Sequence, residues 1–154
     1  MDATTTPLTN LLQTLRAKYP SLHFARGEQF FWSPEKETIY YTEDPDAEAL
    51  LLHELSHALL SHTEYERDVQ LVAMEREAWT EALALAATYA IPLSEDVIED
   101  HLDTYREWLH ARSTCPACTS TGFQSGHHTY TCPACTQEWK VNEARICQLR
   151  RTKL

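Results

Sequence analysis

The chain has 154 residues, enough for one ordinary domain or for a core of roughly 100 residues with a small appendage. Its first residues, MDATTTPLTN, include an acid and lack the apolar segment of a secretory signal. No run of about 18 apolar residues occurs anywhere in the sequence. These features argue against secretion and membrane insertion, and we expect a cytoplasmic protein.

The net charge of −10 is distributed unevenly along the chain. Residues 1–110 contain 7 Lys or Arg against 21 Asp or Glu, whereas residues 111–154 contain 6 against 2. Phosphate binding depends on Lys and Arg, so the acidic part is not expected to hold nucleic acid by itself. The change from acidic to basic composition predicts a boundary near residues 111–114, between a domain over 1–110 and a module over 111–154.

The first elements of the acidic part are a helix and a hairpin. Leucines with helical spacing at positions 8, 11, 12 and 15 predict a short helix that ends at Tyr19-Pro20. Residues 29–32 and 38–41 are aromatic and β-branched segments on either side of SPEK. Because Ser-Pro favours a turn, we expect these two segments to pair as antiparallel strands.

Three further helices are predicted before the charge shift. The first has Asp44 as its N-cap and Pro45 at its first position, and it continues to about His62. It is apolar on nearly all sides and should be central. A long Ala- and Leu-rich helix should cover residues 68–89 and stop at Pro92. The last should begin at Ser94 and run to about residue 110.

The sequence HELSH at residues 53–57 carries the strongest chemical signal of the acidic part. On a helix, His53 and His57 lie one turn apart on one face and can bind a single Zn²⁺, with Glu54 beside the open position of the metal. Unpartnered polar groups in so apolar a helix would cost several kcal/mol. We therefore predict a catalytic zinc site with Glu54 as its general base.

A catalytic zinc ion needs a third protein ligand, and His62, Glu75 and Glu77 are the candidates. His62 lies about 140° further round the predicted helix than His57, so it is expected at the surface or behind the ligands. The helical neighbours of Glu75, three and four residues away on either side, are all apolar. The corresponding neighbours of Glu77 are more polar. This pattern favours Glu75 as the inward-facing carboxylate and keeps Glu77 as the alternative.

The basic module contains two CPAC segments, separated by thirteen residues. Their four thiolates, from Cys115, Cys118, Cys132 and Cys135, predict the closed tetrahedral site of a structural zinc ribbon. With four protein ligands no position remains for water, so we expect a binding or stabilising module.

Other residues of the module have less specific signals. Gly122 and Gly126 are expected in turns between the two CPAC segments, and Tyr130 and Trp139 should cover the small core. His127 and His128 are expected to be loop residues, although imidazoles can replace thiolates at zinc. Cys147 is expected to be a free thiol. The basic residues form a solvated tail or contact nucleic acid or an acidic partner; these residues are Arg145, Arg150, Arg151 and Lys153.

Two longer segments resemble the ImmA/IrrE metallopeptidases. LLLHELSHALLSH is followed by MEREAWTEALALAA and then by Ile91-Pro92, and the likeness covers roughly residues 26–92. Trp79 stands where the family usually has Asn or Asp, and Glu81 stands where an aromatic residue is common. The resemblance implies a mostly helical, zincin-like α+β core with a small antiparallel hairpin or sheet.

The resemblance also implies a ligand set and an activity. The implied ligands are His53, His57 and Glu75, in agreement with the helical faces. Family members cleave, or promote the removal of, helix-turn-helix repressors and thereby derepress mobile-element, phage or stress genes. The expected function is zinc-dependent endoproteolysis of such a repressor, with one catalytic and one structural zinc ion and no membrane partner.

Two other functions are compatible with the motifs. A SprT-like protease acting on DNA-associated proteins also combines His-Glu-x-x-His with a cysteine ribbon, but it requires a further histidine ligand, and residues 63–100 contain none. A non-enzymatic adaptor would use its ribbon and keep the other metal site only as a relic. The intact Glu54 argues against the adaptor, because a relic does not need a base.

Overall fold

The computed structural model describes residues 6–143 and 148–154. This part of the chain forms four helices and two small sheets, so the expected combination of helices with small sheets is confirmed. The helices are α1 (Pro7–Lys18), α2 (Ala47–Leu59), α3 (Asp68–Tyr89) and α4 (Glu95–Ser113). The strands are β1 (His23–Arg26), β2 (Phe31–Ser33), β3 (Thr38–Tyr41), β4 (Phe123–Gly126), β5 (Thr129–Thr131), β6 (Glu138–Val141) and β7 (Arg151–Lys153).

The chain is organised as two compact units, and each is built from two segments. The first unit comprises the residues up to Thr63 together with Arg76–Glu95. The second comprises Glu64–Glu75 together with Asp96–Leu154. Helix α3 therefore contributes residues to both units. The domain boundary near residues 111–114 stays a prediction; α4 continues to Ser113, three residues beyond its expected end.

The first unit contains a three-stranded sheet in the order β1-β3-β2. Strands β2 and β3 are antiparallel, with Trp32 opposite Ile39, which confirms the predicted hairpin. Strand β1 pairs parallel to β3 and was not predicted. Its sequence, HFAR, is short and has polar residues at both ends, so the alternation that would indicate a strand is too brief to read.

Helix α2 is the centre of the first unit and packs on α1 and on the sheet. This agrees with its apolar composition, since leucines on several faces of α2 have no measurable exposure. The buried apolar residues of α1, the sheet and α2 are Leu11, Leu12, Leu15, Phe24, Ile39, Tyr41, Ala47, Ala49, Leu51, Leu52 and Leu55.

Helix α2 begins later than predicted, and Asp44 is not its N-cap. The carboxylate of Asp44 accepts a hydrogen bond from the Asp46 backbone N–H at 2.9 Å, and its carbonyl accepts one from Ala47 at 3.0 Å. The side chain of Asp44 is therefore bonded within a local turn and does not cap α2. The cap position is therefore Asp46, whose side chain makes no capping hydrogen bond.

Helix α2 also ends earlier than predicted, at Leu59, and His62 is not part of it. Ser61 adopts a left-handed conformation with φ of 56°, and its N–H donates to the carbonyl of Ala58 at 3.1 Å. The N–H of His62 donates to the carbonyl of His57 at 2.9 Å. These two bonds form a Schellman motif, which reverses the chain and returns His62 toward the last turn of the helix.

The second unit contains the cysteine module, whose four strands form an antiparallel sheet in the order β4-β5-β6-β7. The rings of Tyr130 and Trp139 are stacked, with centroids 5.7 Å apart and an interplanar angle of 14°. Both rings are buried with Cys115, Cys132 and Val141, which confirms that the two aromatic residues cover the small core.

Gly126 directly precedes the turn between β4 and β5, as predicted, whereas Gly122 has a different role. No glycine of the described residues has a positive φ; the left-handed positions here include Thr119 and Thr136, each with φ of 66°. A Cβ atom on Gly122 would overlap the indole of Trp139 and would lie 2.9 Å from the carbonyl oxygen of Thr131. Gly122 is therefore required by close packing rather than by a turn.

A buried ion pair connects the start of α3 with the end of α4. The Nε–H of Arg112 donates to Asp68 Oδ2 at 2.8 Å, and the Tyr130 hydroxyl donates to the same oxygen at 2.6 Å. Burial and the hydrogen bond to Asp68 raise the pKa of Tyr130, which keeps its hydroxyl a donor. The carbonyl of Arg112 accepts the indole N–H of Trp139 at 2.9 Å. These contacts join the cysteine module to both helices within the second unit.

We expect Gly122→Ala to destabilise the cysteine module by about 1–3 kcal/mol, because the added methyl group would overlap the Trp139 ring. Gly126→Ala is the matched control, since the nearest atom to its new Cβ would be 3.7 Å away, an ordinary contact. Thermal unfolding of both metal-loaded variants checks this. Equal melting temperatures for the two variants would contradict the packing role of Gly122.

We expect Asp68→Ala to lower the free energy of unfolding by about 3–5 kcal/mol, because it leaves the buried Arg112 guanidinium without its carboxylate. Asp103→Ala removes a carboxylate from an exposed pair with Arg106 and should cost no more than about 1 kcal/mol. Urea unfolding of the two variants provides the comparison. A loss below 1 kcal/mol in Asp68→Ala would show that the network does not stabilise the fold.

Candidate metal centres

Two buried imidazoles lie side by side on α2. His53 and His57 are four residues apart, so they project from successive turns of the same helical face. Their ring centroids are 4.7 Å apart, and both side chains are almost fully buried. Of the three intervening residues, Leu55 and Ser56 are also buried, and the Ser56 hydroxyl donates to the Leu52 carbonyl at 2.7 Å. The motif therefore lies within the apolar interior of the first unit.

Glu75 of α3 supplies a third donor next to the two imidazoles. One ligand atom from each of His53, His57 and Glu75 lies within 4.8 Å of the other two. Donors that bind one zinc ion tetrahedrally are roughly 3.4 Å apart, so small side-chain rotations bring this group into coordination range. The three residues can hold a metal ion and are compatible with zinc. Their assignment as ligands remains a prediction.

The burial of the two glutamates on α3 differs as their helical faces indicated. Glu75 is 5% exposed, whereas the side chain of Glu77 is 62% exposed. Ala78 and Trp79, which follow Glu75 at helical spacing, are fully buried. The apolar face of α3 therefore carries Glu75 inward, and Glu77 does not belong to the donor group.

Glu54 lies beside the donor group without being part of it. Its Oε1 is 3.5 Å from Nδ1 of His53, and its side chain is largely buried but retains 15% exposure. A carboxylate at the edge of a metal site, partly open to solvent, can exchange a proton with a nearby molecule. This position is compatible with the predicted role of a general base.

The ring of His53 is held by an aromatic contact. It stacks on the indole of Trp79, with centroids 4.1 Å apart and an interplanar angle of 11°. The flat stacking restricts rotation of the imidazole by packing.

The ring of His57 is held by a second histidine. Its Nδ1 is 3.0 Å from Nδ1 of His62, and Nε2 of His62 is 3.0 Å from a carboxylate oxygen of Glu77. His62 does not belong to the donor group and lies behind His57, which is one of the two positions expected for it. The helical projection missed this contact because α2 ends before His62.

The four cysteines of the CPAC segments form the second candidate centre. Their sulfur atoms lie within 4.8 Å of one another, with Cys115 Sγ 3.7 Å from Cys135 Sγ and Cys118 Sγ 3.5 Å from Cys132 Sγ. Zinc–sulfur bonds of about 2.3 Å in a tetrahedron place sulfur atoms roughly 3.8 Å apart. The cluster is compatible with a zinc ribbon, and all four thiols are free of disulfides.

The electrostatics of the cysteine cluster favour a bound cation. Hydrogen bonds from the Ser120 hydroxyl and backbone N–H lower the pKa of Cys118 to about 6. A backbone hydrogen bond from Gln137 lowers the pKa of Cys135, but burial and the neighbouring thiols raise it to about 12 overall. Four thiolates therefore do not form side by side on their own. A bound metal ion would stabilise them and release the remaining protons.

The two CPAC segments are structural repeats. The N–H of Cys115 donates to the carbonyl of Ser120 at 2.8 Å, and the N–H of Cys132 donates to that of Gln137 at 2.9 Å. Each segment is followed by a threonine with φ of 66°. The repeated sequence CPACT could have indicated that the two segments have the same conformation. In each segment, the threonine after the second cysteine occupies the same backbone position.

The remaining predicted residues of the module lie outside the cluster. His128 Nε2 is 2.9 Å from a Glu143 carboxylate oxygen, and the neighbouring His127 ring packs against it at 3.9 Å. Neither histidine belongs to a donor group of the described residues. Cys147 and Arg145 lie outside the described residues. The other basic residues of the tail, Arg150, Arg151 and Lys153, are exposed on or beside β7.

No protein-family model, curated protein or solved structure matches this chain. In the part of the chain that the structure describes, none of the helices is long and apolar enough to cross a membrane. The functional assignment therefore depends on the two metal centres themselves.

We expect zinc-loaded protein to hold two metal ions per chain, of which a chelator removes one quickly. Four thiolates close a metal site, whereas a three-residue site exchanges its ion through the open position. Glu75→Ala and His53→Ala should each retain only the slowly exchanging ion. Metal analysis before and after chelation checks this. One ion per wild-type chain, unchanged in His53→Ala, would rule out the His53–His57–Glu75 centre.

Proposed function

We propose that the protein is a zinc-dependent endopeptidase. The observation that carries the proposal is the buried donor group of His53, His57 and Glu75 with Glu54 at its edge. Three protein donors leave one coordination position for a water molecule or a substrate, which distinguishes a catalytic site from a closed structural one. Two imidazoles and one carboxylate also form a donor set that suits zinc.

The chemistry divides between the metal and Glu54. When bound, a zinc ion supplies a Lewis acid that polarises a peptide carbonyl and makes water a stronger nucleophile at neutral pH. The Glu54 carboxylate accepts a proton from the attacking water and later delivers it to the nitrogen of the leaving amine. His53 and His57 hold their positions through Trp79 and His62, so the donors need little rearrangement.

The proposed fold family and substrate come from the sequence. The segments LLLHELSHALLSH and MEREAWTEALALAA support a zincin-like core of the ImmA/IrrE type. By that resemblance the substrate is a helix-turn-helix repressor, whose cleavage derepresses mobile-element, phage or stress genes in the cytoplasm. The burial of Glu75 supports the same ligand set that the resemblance implies.

We assign a structural zinc ion to the four cysteines. Sulfur separations of 3.5 and 3.7 Å support tetrahedral coordination, and four protein ligands leave no position for a reacting water. The cluster lies over a small core in which Trp139 and Tyr130 are buried. In the proposal, this zinc ion stabilises a module whose basic residues contact nucleic acid or an acidic partner.

We expect Glu54→Gln to retain both metal ions and to lower the rate of repressor cleavage by at least about 10²- to 10⁴-fold, because the amide cannot accept the proton. The substrate tested is a helix-turn-helix repressor, the class of protein that the resemblance implies, and cleavage is followed by electrophoresis and mass spectrometry. Glu48→Gln, which removes a carboxylate from the first turn of the same helix, is the matched control.

The same pair of variants separates the enzyme from a non-enzymatic adaptor. Derepression in cells should be lost with Glu54→Gln and retained with Glu48→Gln at equal protein levels. Full derepression by Glu54→Gln would contradict proteolysis and support the adaptor.

A further inference from the structure

A chain of three polar side chains leads from the proposed metal site to the surface. His57 is buried, the side chain of His62 is 9% exposed, and the carboxylate of Glu77 is largely exposed. The two contacts that connect them, Nδ1 to Nδ1 and Nε2 to Oε2, are both 3.0 Å long. His57 and Glu77 therefore interact through His62.

The backbone conformation after α2 places His62 between His57 and Glu77. Ser61 takes the left-handed position of the Schellman motif, so the chain reverses immediately after α2. The N–H of His62 then bonds to the carbonyl of His57, and the two rings approach to a centroid separation of 5.2 Å. The same residue is thus fixed to His57 through both its backbone and its ring.

The carboxylate of Glu77 determines the direction of both hydrogen bonds. Glu77 is an acceptor when ionised, so His62 donates to it from Nε2. In a neutral imidazole the other nitrogen is then an acceptor, and Nδ1 of His62 accepts the N–H of His57 Nδ1. This order leaves the lone pair of His57 Nε2 available to a metal ion. The opposite order would place a proton on that nitrogen and block coordination.

We propose that His62 and Glu77 form a positioning relay for His57, in which Glu77 acts only through His62. The relay fixes the tautomer of His57 with Nε2 as the metal donor and holds the plane of its ring. Metal-bound histidines commonly donate their second N–H to a carboxylate or carbonyl, and losing such a partner weakens metal binding by about 10- to 100-fold. Here a second imidazole stands between the ligand and the carboxylate. The inference rests on the proposed metal site and adds two residues that control it.

The relay predicts a specific pattern of zinc affinities. His62→Phe keeps a ring but removes both hydrogen bonds, and it should weaken zinc binding at the three-residue site by about 10- to 100-fold. Glu77→Gln should cause a smaller loss, about 10-fold, because His62 remains as an acceptor. The double variant should bind zinc as His62→Phe does, since Glu77 has no effect without His62. Zinc is titrated against a chromophoric chelator after the cysteine cluster has been filled.

Rescue and control variants distinguish positioning from a general effect on the fold. His62→Asn places an amide oxygen near the position of Nδ1 and should recover part of the affinity lost in His62→Phe. Glu107→Gln removes an exposed carboxylate from α4 and should leave zinc affinity unchanged. Thermal unfolding of the proteins with only the cysteine cluster filled should show all variants folded.

Two results would overturn the relay. Additive losses in the double variant would show that Glu77 acts directly on the metal ion, and unchanged affinity in His62→Phe would show that His62 does not position His57. Neither result would affect the proposed peptidase site, because the wild-type protein would still bind its second zinc ion. A wild-type protein without that ion would contradict both proposals together.

Discussion

The burial of a carboxylate beside two imidazoles is the constraint on which the rest of the proposed site depends. Glu75 is carried inward by the apolar face of α3, and His53 and His57 are carried inward by α2. Removing a carboxylate from water costs several kcal/mol unless a cation or hydrogen bonds compensate. In the proposed site, a divalent ion shared by the three side chains would supply that compensation. Metal binding and folding would then be coupled, because the buried polar residues would stabilise the fold once a metal is bound.

The two histidines are held by different means, although they belong to one motif. A flat stack on Trp79 holds His53, whereas a hydrogen-bonded relay through His62 holds His57. The first contact fixes the ring plane by packing alone, and the second fixes both the plane and the tautomer. The cysteine cluster differs, since its four sulfur atoms can enclose an ion completely and the buried Asp68–Arg112 pair stabilises the surrounding module. In the proposal, the open site therefore serves chemistry and the closed site serves architecture.

Much of the fold and of both donor groups could be predicted from the sequence, because periodicity and ligand spacing are local signals. The bounds of α3, the hairpin and the inward face of Glu75 were predicted in this way. The ends of α2 could not be predicted, since they depend on a turn at Asp44 and on the left-handed Ser61. The contact between His57 and His62 depends on that second turn. A prediction from helical spacing ends a helix only where a residue signals its end. Serine gives no strong signal of this kind, so the end of α2 before Ser61 could not be predicted.

The most direct test of the central claim is a crystal structure of the zinc-loaded protein with anomalous scattering recorded at the zinc edge. Two peaks are predicted. One should lie about 2.0–2.2 Å from nitrogen atoms of His53 and His57 and a carboxylate oxygen of Glu75, and the other about 2.3 Å from four cysteine sulfur atoms. Coordination of His57 through Nε2, with its Nδ1 against His62, would agree with the relay. A single peak at the cysteines, or a second zinc ion bound to His62 and Glu77 instead of Glu75, would contradict the account.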